Sequence, residues 1–256
     1  MSMNFFGKSD IGKSRQSNQD AFSIVKFSSD CALFVVCDGV GGADGGEIAS
    51  SIACEIFIKT VGDLISSHFP SGKLPVPEST VKFVLTHALG NAHEAICDKA
   101  RTNENLIDMS TTIVAMLILD NRAYFLNVGD SRAYMITDEK AVQITKDHSY
   151  VQDLIDHGKL DPSLANDHIH KNVITRSVGY STNATPDLYK ITLDERSTCT
   201  FLLCTDGLTN MVSDSDIVQI INGFGSLKSK TEKLINMSND LGGYDNITVV
   251  LASVRN

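Results

Sequence analysis

The alternation of apolar and polar positions divides the first 100 residues into strand-sized and helix-sized segments. Two short apolar runs come first, at Phe22–Phe27 and Ala32–Cys37. Apolar residues then recur at the helical spacing of three and four positions from Ile48 to Ile65, and again from Glu78 to about Ala100. The pattern therefore predicts two strands followed by two long amphipathic helices.

The rest of the chain is dominated by strand-length runs separated by turn residues. We expect strands at Thr111–Leu119, Ala123–Val128, Arg132–Ile136, Leu188–Leu193, Cys199–Thr205 and Ile247–Val254. Two helical segments, Asp214–Asn222 and Lys228–Leu241, precede the last strand. The polar stretch from Asp147 to Asn172 contains only a short helix and is predicted to form a surface flap. This order predicts an α+β fold with helices on both sides of the sheets, in a single domain of residues 1–256.

Composition and charge exclude several classes of function. The chain is 42% hydrophobic and 21% charged, with a net charge of −9, whereas nucleic acids and anionic membranes bind basic surfaces. No apolar run reaches the roughly 18–20 residues of a membrane span, and the N-terminus lacks a signal-peptide pattern. The six cysteines form no CxxC pair and lie mostly in apolar segments, as reduced thiols do. We therefore expect a cytoplasmic protein without a nucleic-acid or membrane partner, and, since no heptad pattern is present, a monomer.

A phosphate-binding loop is one candidate site, because Gly7–Ser14 matches the pattern GxxxxGK[ST]. Such a loop works only between a strand and a helix whose N-terminal amides hold the phosphates. Here only a few residues precede the match, and the residues after Ser14 show no helical period. We expect the match to be a coincidence, and nucleotide binding stays a minor alternative.

A metal site is the better candidate, because aspartates recur where strands meet turns. Asp38-Gly39 and Asp206-Gly207 each follow an apolar run, and two further aspartates, Asp130 and Asp245, stand beside predicted strands. A hard cation can take one oxygen from such a carboxylate and another from the backbone carbonyl that follows it. Converging carboxylates cannot all stay ionised without cations between them. Each aspartate alone is more often an ordinary turn residue.

Seven motifs extend this pattern over nearly the whole chain. They are SDIGKSRQSNQD (Ser9–Asp20), FVVCDGVGG (Phe34–Gly42), STTIVAMLI (Ser110–Ile118), NVGDSRAY (Asn127–Tyr134), TKDHS (Thr145–Ser149), LLCTDGLTNMVSD (Leu202–Asp214) and DNITVVL (Asp245–Leu251). In this order they resemble the motifs of the metal-dependent serine/threonine protein phosphatases of type 2C, in the compact bacterial form. The resemblance implies a four-layer α-β-β-α sandwich, in which two antiparallel sheets lie between two pairs of helices.

The resemblance also implies ligands for two Mn²⁺ or Mg²⁺ ions. Asp38 would bridge the two ions, and Asp206 and Asp245 would complete the protein ligands of the first. The carbonyl of Gly39 would contact the second ion, and Asp20 would act through metal-bound water. A water that bridges two such ions loses its proton near neutral pH and can attack phosphorus directly.

Two further residues receive roles from the resemblance. Asp130, together with Asp206, would hold a third and weaker ion, and Arg15 would bind the substrate phosphate. Val40 stands where several relatives carry a histidine proposed as the general acid, so the general acid is not assigned. For His148, in the TKDHS motif, a structural hydrogen bond is the preferred interpretation.

The function implied is hydrolysis of phosphoserine and phosphothreonine in proteins. The implied partners are phosphorylated proteins and a cognate serine/threonine kinase. The alternative is a non-catalytic member of the same fold that binds phosphoproteins. The presence of Arg15 and of all the ligand aspartates favours the enzyme.

Overall fold

Two antiparallel β-sheets packed face to face form the centre of the protein. The structure, a computed structural model, describes residues 1–41, 45–68, 76–179, 184–194 and 198–255. Its strands are β1 (Ser2–Asp10), β2 (Asp20–Lys26), β3 (Cys31–Val40), β4 (Ser110–Thr111), β5 (Ile113–Leu119), β6 (Arg122–Val128), β7 (Arg132–Ile136), β8 (Ala141–Gln143), β9 (Asp187–Thr192), β10 (Thr198–Cys204) and β11 (Ile247–Arg255). The first sheet has the order β1-β11-β10-β7-β8, and the second has the order β2-β3-β5-β6-β9 with β4 beside β3.

Helices cover the outer face of each sheet. The long helices α1 (Gly45–His68) and α2 (Glu78–Arg101) pack on the second sheet. The helices α5 (Asp214–Asn222) and α6 (Leu227–Asp240) pack on the first. Shorter elements are α3 (Tyr150–Asp156), α4 (Asp206–Thr209) and the 3₁₀ helices Glu104–Leu106 and Pro162–Asp167. The predicted α-β-β-α sandwich is thereby confirmed.

The central strands of the second sheet, β3, β5 and β6, are buried on both faces. Along β3, Leu33 and Val35 pack against the helices, whereas Phe34 and Val36 pack between the sheets. All four side chains are inaccessible to solvent. This explains why the sequence shows a continuous apolar run here instead of the alternation of a strand with one wet face.

The sequence pattern missed β1 and β8. It also predicted that β3 ends at Cys37, whereas the strand continues to Val40. β1 pairs with β11 over nine residues, from Ser2 opposite Arg255 to Asp10 opposite Ile247. β1 lies at the edge of its sheet, and Met3 is its only buried residue. Its second half, Gly7–Asp10, therefore carries few apolar residues, and the sequence pattern did not identify it as a strand. No helix follows in residues 11–19, so the match to a phosphate-binding loop lacks the helix N-terminus that binds phosphate.

The described residues bear on two features of the chain, disulfide bonds and membrane-spanning helices. None of the six cysteines, all of which lie in the described residues, forms a disulfide bond. Within the described ranges, no helix combines the length and the apolar character needed to cross a membrane.

Candidate metal centre

A cavity of about 230 Å³ opens at one end of the two sheets. Six of the seven predicted site residues line it: Arg15, Asp38, Gly39, Asp130, Asp206 and Asp245. These residues come from five separate stretches of the chain, so only the fold brings them together. The seventh, Asp20, lies beside the cavity next to Asp38.

Asp20 and Asp38 face each other across neighbouring strands. Asp20 is the first residue of β2, and the antiparallel register places it directly opposite Asp38 on β3. Directly opposed residues have Cβ atoms about 4.5–5.5 Å apart. The sequence placed Asp38 just after a strand, whereas β3 continues to Val40 and holds Asp38 within the ladder.

The other three aspartates occupy ends of elements. Asp206 begins α4, where the positive end of the helix favours a carboxylate. Asp130 lies in the turn between β6 and β7, after Gly129, whose φ of 109° is readily adopted only by glycine. Asp245 lies two residues before β11. Glycine is required at position 207, directly after Asp206, because a Cβ there would lie 2.0 Å from the carbonyl oxygen of Asn246.

Asp20 is held on one oxygen only. Its Oδ2 accepts hydrogen bonds from the hydroxyls of Thr205, at 2.9 Å, and Thr248, at 2.7 Å. Its Oδ1 is buried and has no hydrogen-bond partner in the described part of the chain. Burial raises the pKa of Asp20 to about 7. A buried carboxylate oxygen without a partner is costly, and a cation or its water would satisfy it.

The remaining carboxylates are also poorly stabilised in their charged form. Burial raises the pKa of Asp38 well above its usual value, and the neighbouring Asp20 and Asp206 raise it further. Burial and Asp206 raise the pKa of Asp130 in the same way. Burial and then Asp245 raise the pKa of Asp206. A divalent cation would relieve this repulsion, because it stabilises the charged carboxylates.

The carboxylates are grouped, and several of their oxygens accept hydrogen bonds from neighbouring residues. Among the described residues, no three Asp, Glu, His or Cys side chains stand in an arrangement that would hold a metal. Their oxygens have other partners: Asp245 accepts from Arg15 and from its neighbour's backbone N–H, and Asp206 accepts from Asn210. A bound cation would replace some of these hydrogen bonds. The donor set itself, all oxygen, fits Mg²⁺ or Mn²⁺.

Sequence reasoning missed Asn246, which fixes the loop that carries Arg15. Its Oδ1 accepts from the backbone N–H of Gln19 at 2.8 Å, and its Nδ2 donates to the carbonyls of Ile11 and Ser17 at 2.9 and 3.0 Å. The side chain is buried, so water does not compete for these bonds. The only signal in the sequence is its place directly after Asp245.

His148 makes the structural hydrogen bond that its motif suggested. The backbone N–H of Gly129 donates to its Nδ1 at 3.1 Å, and its Nε2 lies 3.2 Å from both Asp187 Oδ2 and Arg176 Nη1. Burial lowers the pKa of His148. The residue is not among those that line the cavity, and it holds the turn that carries Asp130.

Comparisons with known proteins agree with this architecture. The family described as protein phosphatase 2C matches residues 7–251. Protein phosphatase PhpP of Streptococcus pneumoniae is 35% identical over 246 residues, which cover 96% of this chain and 95% of that protein. The chain belongs to the protein phosphatase 2C family. The predicted family and class of enzyme, protein-serine/threonine phosphatase, are confirmed by this match.

Solved structures of related phosphatases have the same fold. The crystal structure of serine/threonine phosphatase Stp1 from Staphylococcus aureus has a TM-score of 0.84 at 30% identity, covering 100% of this chain and 96% of that one. The catalytic domain of serine threonine protein phosphatase PstP, crystallised in complex with 2 manganese ions, has a TM-score of 0.79 at 29% identity and covers 99% of both chains.

Proposed function

We propose that this protein hydrolyses phosphoserine and phosphothreonine in other proteins, with Mn²⁺ or Mg²⁺ as its cofactor. The observation that carries the proposal is the convergence of four aspartates and Arg15 on one cavity, with Asp20 directly behind. Relatives named as serine/threonine phosphatases, and one solved with manganese, support it.

The candidate ligands divide between the ions as the resemblance implies. Asp38 would bridge two ions, with Asp206 and Asp245 on the first and the carbonyl of Gly39 on the second. Asp20 would act through water. When bound, two such ions lower the pKa of a water between them, so that it can attack phosphorus. Asp130, with Asp206, would hold a third and weaker ion.

The side chains of this protein contribute binding and orientation. Arg15 can donate two parallel hydrogen bonds to phosphate oxygens, and it offsets charge that builds up on them. The described residues that line the cavity include no cysteine, serine or histidine. The hydroxyl of Thr112, which does line it, is already bonded to Asp38 N and Ser131. These side chains therefore offer no thiol, imidazole or free hydroxyl as a nucleophile for a phosphoenzyme.

The flap of residues 147–172 is proposed to select the phosphoprotein. Asn172, the last residue of the flap, lines the cavity, and within the flap Ile169 is 88% exposed and Leu164 54% exposed. Exposed apolar side chains on a segment that reaches the cavity suit contact with residues that flank a phosphosite. Exchange of this segment with that of a relative should change the preference among phosphopeptides, and an unchanged preference would contradict the assignment. A kinase partner, a monomeric state, a single domain and a location in the cytosol stay predictions.

Two alternatives can be separated from the enzyme by experiment. A non-catalytic member of the fold would bind phosphoproteins without turnover. A nucleotide-binding protein that used Gly7–Ser14 would lose binding with Lys13→Ala and keep it with Asp38→Ala. In the structure Lys13 lies at the surface, with its Nζ 3.6 Å from Asp240, which gives this alternative no support.

Hydrolysis of a phosphothreonine peptide tests the proposal. Wild-type protein should turn over the peptide only with Mn²⁺ or Mg²⁺ present, and Asp38→Asn should abolish turnover. The matched control is Asp120→Asn, at the opposite end of the second sheet, where the positive φ of 55° suits asparagine. Folded wild-type protein without turnover in either metal would contradict the enzyme and favour the binding protein.

A further inference from the structure

The segment around Thr112 joins two of the candidate metal-ligand segments. Thr112 stands at the break between β4 and β5, where it contacts both the Asp38 end of β3 and the turn that carries Asp130. Thr112 and its partner Ser131 lie 1% and 0% exposed. Neither received a role from the sequence.

On one side, Thr112 fixes the backbone of Asp38. The N–H of Asp38 donates to Thr112 Oγ1 at 3.0 Å, and the N–H of Thr112 donates to the carbonyl of Asp38 at 2.8 Å. The hydroxyl of Thr111 donates to that same carbonyl, also at 2.8 Å. The peptide groups on both sides of the Asp38 Cα are therefore held, which limits where its carboxylate can lie.

On the other side, Thr112 contacts the residues before and after Asp130. Its Oγ1 lies 2.7 Å from Oγ of Ser131. Its methyl group packs on Gly129, where an added Cβ would lie 2.5 Å from Thr112 Cγ2. A single buried hydroxyl thus bonds to the backbone of Asp38 and to the neighbour of Asp130.

We infer that Thr112 and Ser131 are positioning residues that hold the carboxylates of Asp38 and Asp130 at the separation needed to bind divalent cations. The inference rests on the proposed function and assigns these two side chains a part in it. Because both hydroxyls are shielded from water, the loss of either leaves a buried polar group without its partner. Groups that orient metal ligands in this way typically change metal affinity about 10- to 100-fold when they are removed.

Direct measurement of Mn²⁺ binding by titration calorimetry tests the inference, with the thermal melting of each metal-free variant recorded separately. Thr112→Val keeps the shape of the side chain and removes its hydroxyl, and we expect it to weaken Mn²⁺ binding by about 10- to 100-fold. Thr112→Ser retains the hydroxyl and should stay within about threefold of wild type, on the same reasoning. Thr231→Val is the matched control, because the Thr231 hydroxyl is buried in α6 without a hydrogen-bond partner in the described residues.

Ser131→Ala provides a second variant that removes a single oxygen atom and tests the same contact if Thr112→Val does not fold. The double variant should bind Mn²⁺ no more weakly than Thr112→Val alone, because the two changes remove one shared interaction. Variants that melt at lower temperature but bind Mn²⁺ as tightly as wild type would overturn the inference. Wild-type protein that binds no Mn²⁺ would instead overturn the proposed function.

Discussion

Arg15 and Asp245 form an ion pair across the candidate metal centre, although 230 positions separate them in the chain. Nη2 of Arg15 donates to Oδ2 of Asp245 at 2.8 Å. The Arg15 side chain is 50% exposed and that of Asp245 34% exposed, so the pair lies at the mouth of the cavity. The hydrogen bond to Asp245 is the largest cause that raises the pKa of Arg15. A permanently charged guanidinium therefore meets whatever enters the cavity.

Replacing Arg15 should weaken substrate binding. We expect Arg15→Ala to lower kcat/KM for a phosphothreonine peptide about 10- to 100-fold, since a hydrogen bond to a charged group contributes roughly 1.5–3 kcal/mol. Arg15→Lys should restore little, because an ammonium cannot make the paired bonds of a guanidinium. The control is Arg101→Ala. Arg101 is an exposed residue of α2 that pairs only with Asp98 among the contacts described. Unchanged kinetics in Arg15→Ala would show that the phosphate is bound elsewhere.

Truncation of Asn246 should loosen the loop that carries Arg15. Asn246→Ala removes three hydrogen bonds to buried or partly buried backbone groups, and we expect a loss of about 2–4 kcal/mol in the free energy of unfolding. Urea denaturation measures this loss. Asn222→Ala, which removes one exposed bond to the carbonyl of Thr137, should cost less than about 1 kcal/mol. Equal losses in the two variants would contradict the role of Asn246.

Stability of the metal-free protein should depend on pH through the carboxylate cluster. An unfolded aspartate titrates near pKa 3.9, whereas Asp20 titrates at about 7 in the fold. Between these values the folded state holds more protons than the unfolded state, so stability should fall as pH rises from about 4 to 7. The raised pKa values of Asp38, Asp130 and Asp206 act in the same direction.

Thermal melting with and without Mn²⁺ measures this dependence. Added Mn²⁺ should raise the melting temperature more at pH 7 than at pH 5, because the ion competes with protons for the carboxylates. Asp20→Asn should flatten the pH dependence of the metal-free protein. A melting temperature that rises steadily from pH 4 to 7 without metal would contradict the prediction.

Replacement by alanine should change the stability of the protein in opposite directions at two glycines. Gly207→Ala would place Cβ 2.0 Å from the carbonyl oxygen of Asn246, so the backbone beside Asp206 must shift. We expect a loss of about 3 kcal/mol in stability together with loss of turnover. Gly90 lies within α2, where an added Cβ meets no described atom within 4 Å, and Gly90→Ala should stabilise by about 1 kcal/mol. Chemical denaturation of both variants tests the pair, and a destabilised Gly90→Ala would contradict it.

The sequence by itself predicted most of the elements and the residues of the candidate site. Apolar periodicity located α2 and α5 within one residue at each end, because their buried faces repeat at the helical spacing. The aspartates beside strand ends marked the candidate site because a hard cation can take oxygens from such carboxylates and from the backbone carbonyls that follow them. The motif order then identified the family without any coordinates.

Only the tertiary structure decided how these parts meet. β1 escaped prediction because it is an edge strand, defined by its hydrogen bonds to β11 and not by its own apolar content. The direct opposition of Asp20 and Asp38 depends on strand register, which no local pattern encodes. Thr112 and Asn246 gained their importance from contacts with residues 74 and 227 positions away. Local sequence thus specifies which chemical groups are available, whereas long-range packing fixes the distances at which they act.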